Sequence, residues 1–241
     1  EYNSDEASDE LLFSELSKID EITEYNTISQ INFSMSADGT YESGIISEDY
    51  LECVKKAYEK INMTTEEIND VMKNDNPSVM IIGISNTSYE KYAKDSGIDT
   101  SVEDKDSYSG IVVNRAKLRA GMSFTETDIT NLKKGDLLEL NYNYNIGIDK
   151  NTDINTPNTD SDGDNTTDNN IEKSYEIKPI TITGVSKEVP LGLSYTSNAF
   201  EPVYIVINQD TMKAVIDEMS QQIANAYQEA GVNKDSSERL M

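Results

Sequence analysis

The chain has 241 residues, 45 acidic against 20 basic, for a net charge of −25, with no histidine, no tryptophan and one cysteine. So strong a negative balance repels nucleic-acid phosphates and anionic lipid headgroups, attracts cationic groups, and argues against nucleic acid as a partner. Lack of histidine removes Ser-His-Asp and Cys-His nucleophilic systems and imidazole metal sites, and one cysteine permits no internal disulfide and no cysteine-based zinc site.

At this length one large domain or two small ones can bury a core. The longest apolar run, Val79–Ile84, is strand-sized, far short of the roughly 20 residues that cross a bilayer. With neither an initiator Met nor a signal-peptide pattern at Glu1-Tyr2-Asn3, the chain reads as a soluble segment of a longer protein.

Residues 5–19 place Leu12, Leu16 and Ile19 at helical spacing behind an acidic first turn. Ile31, Phe33 and Met35 alternate with polar residues as in a half-buried strand, and Asp38-Gly39 signals a turn. Leu51, Val54, Tyr58 and Ile61 share one face of a helix predicted over 48–61, with Cys53 beside that stripe as a small core residue. Thr64-x-x-Glu67 fits a capping box that opens a second helix, which stops before Asn76-Pro77. Val79–Ile84 then reads as a buried strand. It is followed by a short helix, assigned a cap at Thr87-x-x-Glu90, with Tyr89 and Tyr92 three apart and Gly97 at its end.

Gly110–Val113 is a short apolar strand, and a Lys134-Gly135-Asp136 turn opens a long strand predicted over Asp136–Ile148. Residues 150–173 are low complexity with almost no apolar content, so they cannot bury enough surface to fold alone and read as a disordered acidic loop. Beyond them Tyr175–Val185 reads as the returning strand of a hairpin. Pro202–Ile207 is a last strand, and Asn208 or Asp210 caps a helix running to about Ala230, with Met212, Ile216, Met219, Ile223 and Tyr227 in one stripe and Gly231 after it. Two strand–helix units around a β-rich stretch predict an α+β fold.

Several motifs bear on chemistry. Asn158-x-Asp160-x-Asp162-Gly163 looks like the first half of an EF-hand loop, and Asp160, Asp162 and Asp164 are its metal candidates. Asn stands at position one, however, and Asn169 at position twelve, where a bidentate Glu belongs. A solvated acidic loop is therefore the expected reading, with weak millimolar calcium binding as its alternative. Glu42, Glu48, Asp49, Glu66 and Glu67 offer carboxylate pairs for a hydrolase, but chance makes such pairs common among 45 acids. No Gly-x-x-x-x-Gly-Lys-Ser/Thr or Gly-x-Gly-x-x-Gly loop is present, and Lys133-Lys134 is too short for a basic patch. Val189–Phe200 is apolar, and Leu191, Leu193, Tyr195 and Phe200 are its ligand-binding candidates, although packing between subdomains is the expected role.

Three stretches in order carry a resemblance. They are the Ile81-Ile82-Gly83-Ile84 strand with Tyr89, Tyr92 and Gly97 behind it, the Gly110–Val113 strand with its later Lys-Gly-Asp turn, and the closing Ile182-Thr183-Gly184-Val185 strand. From about Glu48 to Ala230 the chain resembles the extracellular domain of FtsX/MacB-like ABC transporter permeases of Gram-positive bacteria. The resemblance implies a membrane-proximal, mixed strand–helix base subdomain (1–107 and 191–241), similar to the MacB periplasmic core, and an inserted, mainly β subdomain (108–190). It also implies a non-catalytic module on the extracellular face of the cell membrane, in a full-length protein that dimerises. ATP would bind a separate cytoplasmic ATPase subunit, and the outer domain would handle cationic antimicrobial peptides, lipoproteins or an extracellular protein partner. The long Asn/Asp insert is not part of that family's core. Two readings from other classes stand beside this one: a secreted calcium-dependent adhesion module and a two-carboxylate secreted hydrolase.

Overall fold

The computed structural model describes residues 28–35, 44–74, 78–100, 106–120, 123–147, 170–190 and 202–229. The helix expected over 5–19, the Asp38-Gly39 turn, and Ala230 and Gly231 lie outside them. The fold is mixed α+β. The described residues form two compact units: a smaller one from 143–147, 170–175 and 218–229, and a larger one from the rest.

Ten strands and four helices are described: β1 (Ile28–Met35), α1 (Glu48–Lys60), α2 (Thr65–Asn74), β2 (Ser78–Ile84), α3 (Asn86–Asp95), β3 (Tyr108–Val113), β4 (Ala116–Ala120), β5 (Ser123–Thr127), β6 (Leu137–Leu138), β7 (Leu140–Gly147), β8 (Asn170–Glu176), β9 (Ile180–Ser186), β10 (Val203–Asn208) and α4 (Gln209–Glu229). In the larger unit the strand order is β6-β9-β3-β10-β2-β1-β7, while β4 and β5 form a separate hairpin. Thus β3 and β9, which the sequence assigns to the inserted segment, share a sheet with β2 and β10 of the expected base.

At the centre, β2 and β10 run parallel in register from Val79↔Val203 to Ile84↔Asn208. Alternate residues of a strand face opposite sides. A Cβ on Gly83 would meet Met212 of α4, so the Gly83 side lies under α4. Ile82 and Ile84 instead cluster with Tyr89, Tyr92 and Ala93, so α3 covers the other side. With a helix on each side, β2, β3 and β10 are buried on both faces, which is why they read as continuous apolar runs.

The sequence expects one uninterrupted strand over Asp136–Ile148. That strand breaks at Glu139. Its first part, β6, pairs with β9 (Leu138↔Ile180), and its second, β7, pairs with β1 (Leu140↔Met35, Asn141↔Ser34). The returning strand breaks too, at Ile177–Pro179, where proline offers no N–H and the Ile177 N–H donates to the Leu140 carbonyl at 3.2 Å. One kinked hairpin therefore joins β9 at one end of the sheet to β1 at the other, and the sheet curls back on itself. Four residues read as acidic loop, 170–173, belong to β8, because β7 supplies a pairing partner that composition cannot register.

A β-bulge between Gly110↔Ile182 and Ile111↔Gly184 leaves Thr183 as the extra residue of β9, and its hydroxyl donates to the Gly110 carbonyl at 3.0 Å. Gly110 itself must be small: a Cβ there would sit 2.6 Å from Cγ2 of Ile205.

Helix ends follow local chemistry. Thr64 and Glu67 form the expected capping box, at 2.7 Å to the Thr64 N–H and 3.3 Å to the Glu67 N–H. Three expectations need correction. Ile61 is not on the buried stripe of α1 but 67% exposed, because the helix ends at Lys60 in a Schellman motif. Asn62 (φ 65°) is its left-handed residue, with Met63 N–H bonded to the Tyr58 carbonyl, and Tyr50 takes the core position beside Val54. The cap of α3 is Ser85, whose hydroxyl accepts the Ser88 N–H at 3.3 Å, rather than Thr87. On α4, Ile216 is 42% exposed and Val215 takes its place in the core. Asn208 caps that helix through the Thr211 N–H, as expected.

The smaller unit packs Tyr227 and Ala226 of α4 with Tyr144, Tyr175 and Ile223. The Tyr144 and Tyr227 hydroxyls lie 3.1 Å apart, and Lys173 pairs with Glu229 at 2.8 Å.

Leu140 is fully buried at the closing seam. Leu140→Ala should therefore cost about 2–5 kcal/mol in denaturant unfolding, whereas Ile61→Lys should change stability by less than about 0.5 kcal/mol.

Candidate functional site

Where β3, the β4–β5 hairpin and β9 end together, an open cleft of about 390 Å³ is lined by Arg115, Glu126, Thr127, Asp128, Lys187 and Glu188. Glu126 and Asp128 stand two apart on one extended segment, and each meets a cation from a different element. The Arg115 guanidinium lies 2.6 Å from Glu126, and the Lys187 ammonium pairs with Asp128.

Beneath these exposed charges the backbone is held by buried polar side chains. Asn114 is 6% exposed, its N–H donates to the Ser186 carbonyl at 2.8 Å, and its carboxamide grips Thr130 from both sides (Nδ2 to the carbonyl at 2.9 Å, the N–H to Oδ1 at 2.8 Å). The Ser47 hydroxyl accepts the Tyr50 N–H as the cap of α1 and donates to the Asp128 carbonyl. On the other wall, the Tyr92 hydroxyl donates to the Glu188 carbonyl at 2.6 Å, and the Glu188 N–H donates to Ser186 Oγ at 3.1 Å. Burial pushes the Tyr92 hydroxyl up to about 12. The walls are thus preorganised while the charges they carry stay wet.

That contrast decides what the cleft can do. The Lys187 and Asp128 side chains are 56% and 53% exposed, and pairs so exposed contribute about 0.2–1 kcal/mol. A charged ligand group can exchange with either member at little cost. Three carboxylates against two cations leave the cleft one net negative charge, within a chain at −25, so the field favours a cation.

The residues singled out from sequence stand elsewhere. Asp160, Asp162 and Asp164, and Leu191, Leu193, Tyr195 and Phe200, lie outside the described residues, as does Glu42. Glu48 and Asp49 occupy the exposed first turn of α1, and Glu66 and Glu67 that of α2, where the helix dipole favours anions. Hydrogen bonds from the Thr64 N–H and hydroxyl hold the Glu67 carboxyl below its ordinary range. Cys53 is half-buried and free. Among the described residues no three or more His, Cys, Asp or Glu side chains are grouped to hold a metal, and no helix is long and apolar enough to cross a membrane.

Sequence reasoning missed the cleft. The available signal was faint: Arg115 is one of three arginines and stands at a strand end. Comparison with protein-family models, with curated proteins and with solved structures finds no match.

Removing the Asn114 side chain strands buried Thr130 groups, so Asn114→Ala should cost about 1–3 kcal/mol or more in denaturant unfolding. Tyr92 carries a pH signature. Its folded-state pKa lies above the unfolded value near 10, so its contribution is complete below pH 10 and is lost as the pH rises through about 12. Urea midpoints should fall above pH 10, and Tyr92→Phe should flatten that fall.

Proposed function

We propose that this chain is a non-catalytic extracellular domain of an FtsX/MacB-like ABC transporter permease, and that its cleft is where a cationic group of a peptide or partner protein binds. The observation that carries the reading is the pairing of the two strand–helix units. β2 with α3 and β10 with α4 are more than a hundred residues apart in the chain, yet their strands lie side by side, parallel and in register. In this reading they are the base, and segment 108–190 is the insertion, with β3 and β9 built into the sheet of the base and the β4–β5 hairpin forming one wall of the cleft. ATP is handled by a separate cytoplasmic ATPase, whose cycle moves the outer domain through the membrane helices of the full-length dimer at the cell membrane.

Two measurements test this. The coding sequence should carry an apolar span of roughly 20 residues before Glu1 and further spans after Met241; a cleavable signal peptide upstream with no spans downstream would sink the permease reading. For the cleft, titration of an oligolysine peptide should show binding that weakens as salt rises and falls a few-fold in Asp128→Asn and again in Glu188→Gln. Equal affinity in wild type and both variants would remove the cleft from the binding site.

A further inference from the structure

Helix α3 touches both the cleft and the start of α4. At its C-terminal half, Tyr92 donates to the Glu188 carbonyl at 2.6 Å, and Ser96 Oγ lies 3.1 Å from Ser186 Oγ, so two side chains grip the cleft rim. At its N-terminus, Asn86 Nδ2 donates to Asp210 Oδ2 at 2.7 Å, in the first turn of α4. Six residues separate Asn86 from Tyr92 and ten separate it from Ser96, about 9 and 15 Å along the helix. The helix is closed at both ends, by the Ser85 cap and by a Schellman motif in which the Gly97 N–H bonds to the Lys94 carbonyl and the Ile98 N–H to the Ala93 carbonyl. Such an element shifts as a body more readily than it bends.

The docked position of α3 also leaves one group unsatisfied. The Tyr89 hydroxyl is buried with no hydrogen-bond partner, an omission that costs about 1–3 kcal/mol. Burial raises its pKa, and the nearby Thr183 hydroxyl opposes that rise. Thr183 donates to the Gly110 carbonyl, which leaves its oxygen free to accept. The Tyr89 hydroxyl stands near it without a formed hydrogen bond.

We infer that α3 is a rigid lever that couples the cleft rim at Ser186–Glu188 to the first turn of α4. The inference rests on the cleft being a ligand site only for its biological use; the coupling itself belongs to the protein without ligand. A group that displaces Lys187 or draws on Glu188 pulls on the rim, the rim pulls on Tyr92 and Ser96, and Asn86 releases or tightens Asp210. Coupling of this kind runs equally in both directions.

The experiment is hydrogen exchange on the whole chain, read at the Asn114 and Glu188 amides on the rim and at Thr211–Val215 in α4. Asn86→Ala should speed exchange at the rim as well as in α4, and Tyr92→Phe should speed it in α4 as well as at the rim, by roughly two- to tenfold at the remote end. The double variant should depart from the product of the two single effects. Tyr89→Phe, which removes the unsatisfied hydroxyl, should slow exchange at both ends. Thr87→Ala, on an exposed position of the same helix, should leave both unchanged. If Tyr92→Phe fails to fold, Ser96→Ala breaks the other rim contact and takes its place. Effects confined to the mutated end, with multiplicative doubles, would overturn the lever while leaving the peptide titration above to judge the cleft.

Discussion

The larger unit depends on a central ladder in which β2 pairs with β10 on one side and with β1 on the other, and a short seam adds β7 beyond β1. Two residue pairs, Met35↔Leu140 and Ser34↔Asn141, tie β7 to β1, which would otherwise be an open edge. One face of the seam is apolar: Met35 and Leu140 are fully buried, and Phe33 meets Tyr142 edge-to-face with ring centres 6.1 Å apart. Ser34 and Asn141 face the other side, partly exposed. So few pairs suffice because the same chain is anchored three residues earlier, where Leu137 and Leu138 pair with β9. A covalent link of one residue, Glu139, does what a longer ladder would otherwise have to do, since little loop entropy remains to be lost.

The cleft lies where strands end. Its walls come from segments distant in sequence, around 115, 126–128 and 187–188, and the last two are held from below by buried polar side chains. Ser47 and Asn114 serve the 128–130 segment, and Tyr92 and Ser186 serve the 187–188 segment. A buried hydroxyl or carboxamide that loses its partners costs about 1–3 kcal/mol, so these four residues specify geometry as well as supplying stability. The charges above them face water and exchange freely. A rigid frame with labile ion pairs suits recognition of charge, and the helix that carries Tyr92 carries that frame to α4.

Much of the fold was legible because its signals are local. The apolar runs of β2 and β10, the capping box at Thr64-Glu67, the Gly135 turn with its positive φ and the Gly97 helix end all depend on residues within a few positions of one another. The cap of α3 was misplaced at Thr87, since Ser85 is the residue that leaves β2 and caps the helix. Helix stripes misled at Ile61 and Ile216 because 3.6-residue periodicity marks a face without saying where the helix stops or which neighbour covers it.

The sequence by itself determined the strong negative field, the lack of histidine chemistry, the mixed α+β class and the order of strand–helix units, all properties of composition or of short spans. Only the tertiary structure decided that the strand after Gly135 breaks at Glu139 to serve both ends of one sheet, that β3 and β9 join β2 and β10, and that Arg115, Asp128 and Lys187 meet. The reason is physical: a kink at Glu139 is fixed by strand pairing with distant segments. It is stabilised by partners more than forty residues along the chain on one side and more than a hundred before it on the other, and pairing across such distances leaves no mark in local pattern.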